Sequence, residues 1–423
     1  MQPTVVGIDV GTTKVCTIVA QAQPDGKINI LGVGQTPSKG LDKGVVVNID
    51  EVVNVIATSV EKAERLSGYR IDTAFIGVAG RHVSSLNSRG VVAIGQPDYE
   101  ISRNDVVRAV EAAQAIAIPS QREVIHVIPR AYILDGHEGI RDPIGMSGFR
   151  LEVETHIVTG ETMAIQNLIK SVQRTGVEVE DLVLQPLASG EAVLTPEDKD
   201  RGVVLVDIGG GTTDIAIFIQ GGIWHTCVIP VGGNHFTNDL VYVLQTPYNT
   251  AEYLKLKYGS AIADLMDGED EGGGNDEPLD EEGLIDTETL TMGERQQVSR
   301  QVINEILQAR AEQVIELVYN EIQRSGYHGL LQAGMVLTGG GALLPRLDEL
   351  ARDMLGIPVR IGIPTGLTGL AESMNSPSYA TSVGLLRWGS RHGAAIRLAG
   401  RESVSPNGSI YERFKNWLRA FLP

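Results

Sequence analysis

The chain has 423 residues, of which 42% are hydrophobic and only 5% aromatic, and its formal net charge is −18. That length exceeds one ordinary core, so at least two domains are expected. The acidic balance argues against nucleic acid as the main partner, and no apolar run is long enough to span a membrane.

The chain opens directly in a strand pattern, without a basic segment followed by an apolar one, so no signal peptide is expected. Val5-Val6-Gly7-Ile8-Asp9-Val10 is an apolar run interrupted by Gly11-Thr12-Thr13-Lys14 and resumed by Val15-Cys16-Thr17-Ile18-Val19-Ala20. That pattern predicts a hairpin with a polar, glycine-bearing tip. Val52 to Leu66 has helical spacing, and Thr73 to Ala79 reads as a buried strand. From about Val83 the texture changes to strand, helix and strands: Val91–Ile94, a helix from Ser102 to Ala117, Glu123–Pro129 and Leu151–Val158. Ser102 with Asp105 suits a helix start, because the hydroxyl caps an N–H and the carboxylate meets the positive end of the dipole. His82, His126, His137 and His156 fall in this inserted α+β stretch without ligand spacing, which marks them as surface or core histidines.

A helix from about Met163 to Thr175 and a strand from Val177 to Leu184 lead into Leu184-Gln185-Pro186-Leu187-Ala188-Ser189-Gly190-Glu191-Ala192. The last is a helix with proline in its first turn and small residues on its face. Val203-Val204-Leu205-Val206-Asp207-Ile208, Gly209-Gly210-Gly211-Thr212-Thr213-Asp214 and the apolar run to Ile219 then repeat the first hairpin's pattern. Both tips suit a phosphate chain: glycines bring backbone N–H groups close to an anion. Thr12, Thr13, Thr212 and Thr213 add hydroxyls, and Lys14 adds a point charge. Asp9 and Asp207 would repel phosphate unless they hold Mg²⁺ through water. Cys16 and Cys227 lie in strand-like runs and read as buried, reduced thiols, which points to a cytoplasmic address.

Gly232-Gly233-Asn234 precedes a helix, and Ala251 to Lys257 places Glu252 and Lys255 three apart on one helix face. Twelve acidic residues and no lysine or arginine lie between Asp264 and Glu288, which reads as a disordered, self-repelling loop. Gln296 to Glu321 reads as a long amphipathic helix carrying Arg300 and Arg310. Gly334 to Thr338 is a buried-type strand running into Gly339-Gly340-Gly341, where a flat base or ribose can lie against bare backbone. Ser376 to Gly384 is again rich in small residues.

Together the two hairpins and the triple-glycine turn resemble the phosphate-one, phosphate-two and adenosine motifs of the actin/Hsp70/sugar-kinase superfamily, over nearly the whole chain. The resemblance implies an actin-like two-domain ATPase fold of class α/β, with duplicated ribonuclease-H-like cores, that binds ATP with Mg²⁺. It implies that Gly232, Gly233 and Asn234 lie at the nucleotide and that Glu252 and Lys255 bracket its adenosine. The helices at Gln185 and Ser376–Gly384 resemble the two inter-domain connections, with Gln185 orienting an attacking water. A glutamine positions water but cannot accept its proton, so at most slow ATPase activity is expected.

The last residues narrow the resemblance. After the polar, Pro- and Gly-containing linker 399–409 come Ile410, Phe414, Trp417, Leu418, Phe421 and Leu422, a single apolar stripe on a helix. Arg413, Lys415 and Arg419 lie on or beside the opposite face. So short a helix needs a surface to lie on, and this composition suits an anionic membrane interface. With the inserted module, this tail is similar to that of the FtsA family of cell-division proteins. The resemblance implies a cytoplasmic protein that forms filaments and anchors the tubulin-like FtsZ to the inner face of the membrane at the division site. It implies that a groove near the Gln296–Glu321 helix receives the FtsZ tail, with Arg300 and Arg310 as its cationic partners, and that the inserted module contacts later division proteins.

The boundaries expected are 1–83 with 163–197 for the first nucleotide-binding domain and 84–162 for the inserted module. The second nucleotide-binding domain takes 198–244 with 325–398, and 245–324 forms a subdomain carrying the acidic loop 264–288. The linker 399–409 and the amphipathic helix 410–423 complete the chain. Two other readings stand beside this one: a PilM-type pilus-assembly adaptor, which would not need its own anchor, and a sugar-kinase-like phosphotransferase, for which no proton-accepting site is evident.

Overall fold

The strand β1 (Thr4–Val10) pairs antiparallel with β2 (Lys14–Ala22), from Thr4 opposite Gln21 to Val10 opposite Val15, because two apolar runs meet across a three-residue turn. The computed structural model describes residues 4–96, 98–116, 118–263, 284–290 and 295–401. β3 (Ile28–Pro37) extends the sheet, and β4 (Leu41–Asp42) with β5 (Val45–Val46) makes a small ribbon. α1 (Ile49–Ser67) starts at Asn48, whose side chain accepts from the Glu51 N–H, and stops at Gly68 in the left-handed conformation. β6 (Thr73–Val78) returns parallel to β1.

The inserted module follows as β7 (Val83–Ala93), α2 (Arg103–Gln114), β8 (Arg122–Leu134), β9 (His137–Ile140) and β10 (Arg150–Glu161). Its sheet has the order β7-β10-β8-β9, and α2 covers one face through Val106, Ala109 and Val110. The capping box of Ser102 and Asp105 is present as the sequence indicates, although the helix stops at Gln114, short of the expected Ala117. His82, His126 and His156 are buried and His137 is exposed. Next come α3 (Thr162–Gln173), β11 (Glu178–Leu184), α4 (Gln185–Val193) and α5 (Pro196–Arg201).

The second core repeats the first. β12 (Val203–Ile208), β13 (Thr213–Ile219) and β14 (Gly222–Ile229) form an antiparallel meander. α6 (Gly233–Leu244), α7 (Tyr248–Tyr258), β15 (Leu284–Glu288), β16 (Arg295–Ser299) and α8 (Arg300–Ser325) follow. The chain finishes with β17 (Met335–Thr338), α9 (Leu347–Leu355), β18 (Val359–Ile361), β19 (Leu367–Gly369) and α10 (Ala380–Arg401). The sheet orders β3-β2-β1-β6-β11 and β14-β13-β12-β17-β18 are the same topology written twice, with β19 added beside β3.

Three expectations change here. The long helix expected from Gln296 begins only at Arg300, because residues 295–299 are a strand that pairs antiparallel with Leu284–Glu288. For the same reason the end of the acidic stretch, residues 284–288, is a strand rather than a disordered loop; residues 264–283 lie outside the described residues. The helix α10 runs to Arg401, so the first three residues assigned to the linker are helical, while the tail 410–423 lies outside the described residues.

One apolar cluster joins the two cores through α4 and α10, taking Leu187, Ala188, Val383, Leu385 and Leu386 together with Leu205 and Phe218. The helices meet backbone to backbone. A Cβ on Gly384 would sit 1.8 Å from the Ala188 carbonyl oxygen, so only glycine permits this approach.

Candidate functional site

The two hairpin tips face each other. A Cβ on Gly210 would fall 1.9 Å from Thr13 Oγ1, and one on Gly211 would fall 3.0 Å from Thr12 Oγ1. Each tip is closed in the same way: Gly11 N–H donates to the Lys14 carbonyl (3.0 Å) and Gly209 N–H to that of Thr212 (2.9 Å). Between the cores lies a cavity of about 540 Å³, within the range of small-molecule sites.

Its floor is carboxylate. Asp9 and Asp207 are each the next-to-last residue of a central strand, one per core, and both are buried. The two connecting helices hold both of them in a crossed pattern. From α4, Gln185 Nε2 donates to Asp9 Oδ1 (3.1 Å) and Ser189 Oγ to Asp207 Oδ2 (2.5 Å). From α10, Ser382 Oγ donates to Asp9 Oδ2 (2.9 Å) and Thr381 Oγ1 to Asp207 Oδ2 (3.2 Å). Each carboxylate is therefore held by both connecting helices.

A third carboxylate, Asp214, to which the sequence pattern assigns no role, also lines the cavity. Its Oδ2 accepts from Thr212 Oγ1 (3.3 Å), and its Oδ1 is buried without a partner. Burial pushes its acid group up to about 8, with the nearby Asp207 charge adding to the shift. Burial likewise raises Asp9 to about 6, against the opposing pull of Lys14, and raises Asp207 despite its hydroxyl donors. The signal for Asp214 was available, since it follows the second tip directly and pairs with Asp207 across the ladder.

Lys14 reaches the same space with its Nζ 3.6 Å over the Tyr379 ring, and burial lowers its basicity. At the far wall, Lys255 Nζ is 2.7 Å from Glu252 Oε2 and 2.8 Å from Thr237 Oγ1, and Thr237 also donates to Glu252. The exposed Leu256 and Leu343 add apolar surface there. Gly339 adopts φ +84, where a Cβ would meet Asp207 Oδ1 at 2.3 Å; a Cβ on Gly340 would meet nothing within 4 Å.

Most of the candidate residues thus come together: Asp9, Gly11, Thr12, Thr13, Lys14, Gln185, Asp207, Gly209, Gly210, Thr212, Gly233, Asn234, Glu252, Lys255, Gly339, Gly340 and Gly341 all line the cavity. Gly211, Thr213 and Gly232 stand behind it. The Thr213 hydroxyl donates to the Val231 carbonyl (2.8 Å), and Gly232 packs against the Gly209 and Gly210 carbonyls. Arg300 and Arg310 lie apart from the cavity. Arg310 is held by both oxygens of Asp239 (2.5 and 2.7 Å), and Arg300 Nε donates to the Tyr258 carbonyl (3.2 Å).

The residues fit a nucleoside triphosphate with a divalent cation: backbone-lined tips, a buried lysine, a carboxylate oxygen without a partner and an open glycine turn. Comparison with known proteins bears on the family and the fold. Residues 204–384 match the family model "Cell division protein FtsA", and residues 80–159 match "SHS2 domain inserted in FTSA". The cell-division protein FtsA of Pseudomonas aeruginosa is 42% identical over 425 residues, covering 98% of this chain and 97% of that one. FtsA of Escherichia coli K12 is 35% identical over 426 residues, with the same coverage. Among solved structures, a PilM–PilN type IV pilus biogenesis complex aligns with TM-score 0.64 at 16% identity, covering 92% of this chain and 99% of that chain. MreB5 of Spiroplasma citri bound to ADP aligns with TM-score 0.54 at 15% identity, covering 96% and 99%. The fold is the actin-like one, with an inserted α+β module. Among the described residues, no helix is long and apolar enough to cross a membrane.

Proposed function

This chain belongs to the FtsA family of cell-division proteins, and from that premise we propose that it binds ATP with Mg²⁺, assembles into actin-like filaments and ties FtsZ to the cytoplasmic face of the membrane at the division septum. The observation that carries the nucleotide part is the crossed anchoring of Asp9 and Asp207 by both connecting helices at the floor of an inter-core cavity. In this reading Asp9 and Asp207 hold the Mg²⁺ waters, with Asp214 beside them. The glycine tips, Thr12, Thr13, Thr212 and Lys14 receive the phosphates, and Gly339 to Gly341 with Glu252 and Lys255 border the nucleoside. The bound Mg²⁺ neutralises phosphate charge. The protein's own part is to position groups and to couple the site to the angle between its cores.

Gln185 donates its amide to Asp9, which leaves its amide oxygen free to orient a water but supplies no base. The expected turnover is therefore well below the kinase range of roughly 1–100 per second. Gln185→Glu supplies a carboxylate and is expected to raise the rate in a steady-state phosphate-release assay. A parent that already turns over in the kinase range would show this assignment to be wrong.

The FtsZ tail is proposed to dock beside α8, where Tyr242, Val243 and Leu290 are exposed. Because Asp239 already neutralises much of the Arg310 charge, apolar contact carries more of that docking than the sequence suggested. The inserted module is proposed to receive later division proteins, and residues 410–423 to anchor the chain to anionic lipid. A PilM-type adaptor role shares the fold. It is the weaker reading, because that likeness stops at 16% identity whereas the FtsA relatives match at 35–42% over nearly the full length. Reconstitution with FtsZ on anionic vesicles tests the proposal: FtsZ should sediment with the vesicles only when this chain is present.

A further inference from the structure

A second cluster of chemically active side chains lies outside the cavity, on the edge strand of the second sheet. Alternation along β14 sends successive side chains to opposite sides. Thr226 is turned to the inserted module, where its Oγ1 lies 2.9 Å from His156 Nε2, and Arg130 of the module stacks over the Trp224 ring at 4.3 Å. His225 and Cys227 are turned to α8 instead, where they meet Glu321. His225 Nε2 is 3.1 Å from Glu321 Oε1, and one ligand atom from each of the three residues falls within 4.8 Å of the others.

We infer that His225, Cys227 and Glu321 form a binding site for a borderline-soft divalent cation, Zn²⁺ first, with water in the remaining position. One imidazole nitrogen, one sulfur and one carboxylate oxygen are a donor set suited to tetrahedral zinc. Ligands at bond lengths of about 2.0–2.3 Å lie roughly 3.3–3.8 Å from one another around a tetrahedral ion. His225 and Glu321, 3.1 Å apart, need to part only slightly to reach that separation, and Cys227 lies within 4.8 Å of both, a gap that side-chain rotation can close. All three residues are partly exposed, so an ion has a path in and a water has a place. Glu321 is steadied from outside by Arg324 at 3.5 Å from its other oxygen. The ion ties β14, which carries the inserted module on its other side, to the last turns of α8. The expectation that Cys227 is simply a buried thiol does not hold, since it is half-buried and faces two further ligands.

Cobalt titration of the full, reduced, chelator-treated chain tests this, because a thiolate bound to Co²⁺ produces a ligand-to-metal absorption that carboxylates cannot. The band should saturate at one Co²⁺ per chain, vanish on adding Zn²⁺, survive in Cys16→Ser and be absent in Cys227→Ser. Zn²⁺ affinity measured by chelator competition should fall at least about tenfold in His225→Ala and in Glu321→Gln. Zn²⁺ should raise the thermal midpoint of the parent but not of Cys227→Ser, a near-isosteric change that keeps the strand. Absence of the band at saturating cobalt, or its persistence in Cys227→Ser, overturns the site and leaves an ordinary His225–Glu321 pair. Binding confined to the acidic residues between Asp264 and Glu288 would give no such band and overturns it equally.

Discussion

Gly340→Val is expected to lower ATP affinity by on the order of a hundredfold, about 2.7 kcal/mol, while leaving the nucleotide-free protein folded. A Cβ on Gly340 meets nothing within 4 Å and Gly340 lines the cavity, so a valine is expected to extend into the space proposed for ribose or base with little strain on folding. The same change at Gly341 would drive the new Cβ to within 2.3 Å of Ile208 and confuse a folding defect with a binding defect. Asp207→Ala attacks the site from the other side. It removes a carboxylate proposed to hold Mg²⁺ waters and leaves Ser189 Oγ and Thr381 Oγ1 to each other, 3.0 Å apart. Burial already disfavours the Asp207 charge, so its loss is expected to cost little stability without ligand. Fluorescent ATP binding and the ATP-induced rise in melting temperature report the two effects separately. Affinity equal to the parent's in both variants would remove the nucleotide assignment.

Trp417→Glu is expected to release the protein from anionic vesicles without changing ATP affinity. Each fully buried side chain among Phe414, Trp417, Leu418 and Phe421 gains roughly 1.5–3 kcal/mol at an interface, less for partial burial and for ordering a short helix. On the proposed function, a single chain is expected to bind reversibly, and a filament presenting many tails to bind firmly through multivalency. The substitution removes the largest anchor and sets a negative charge against an anionic surface. Salt should weaken the parent only in part, because Arg413, Lys415 and Arg419 contribute about 1 kcal/mol each at low screening, while apolar burial is insensitive to it. A Trp417→Glu protein that co-sediments with vesicles as the parent does would place the tail on the protein's own surface.

What could be read from the sequence was what is local. The hairpins of Asp9 and Asp207 announce themselves because strand, glycine turn and strand lie within 20 residues, and their repetition marks the duplicated core. The Ser102–Asp105 cap is legible for the same reason. What the sequence concealed depends on distant partners. Gln296–Ser299 reads as the start of a helix, and only the pairing of Arg295–Ser299 with Leu284–Glu288 makes it a strand. Arg310 reads from the sequence as a cation on a helix face, but Asp239, 71 residues away, accepts from two of its three guanidinium nitrogens. The crossing of Ser189 to Asp207 and Ser382 to Asp9 joins residues 18 and 373 positions apart, so no local pattern announces it. Asp214 was in plain view, but its buried, partnerless oxygen is a property of the assembled cavity.

The most direct test of the whole account is sedimentation of FtsZ with anionic vesicles in the presence of ATP and either the full chain or the chain lacking residues 410–423. FtsZ is expected to pellet with the vesicles alongside the full chain, and with the shortened chain both proteins are expected to stay in the supernatant. FtsZ pelleting equally well with the shortened chain, or not at all with the full one, would contradict it.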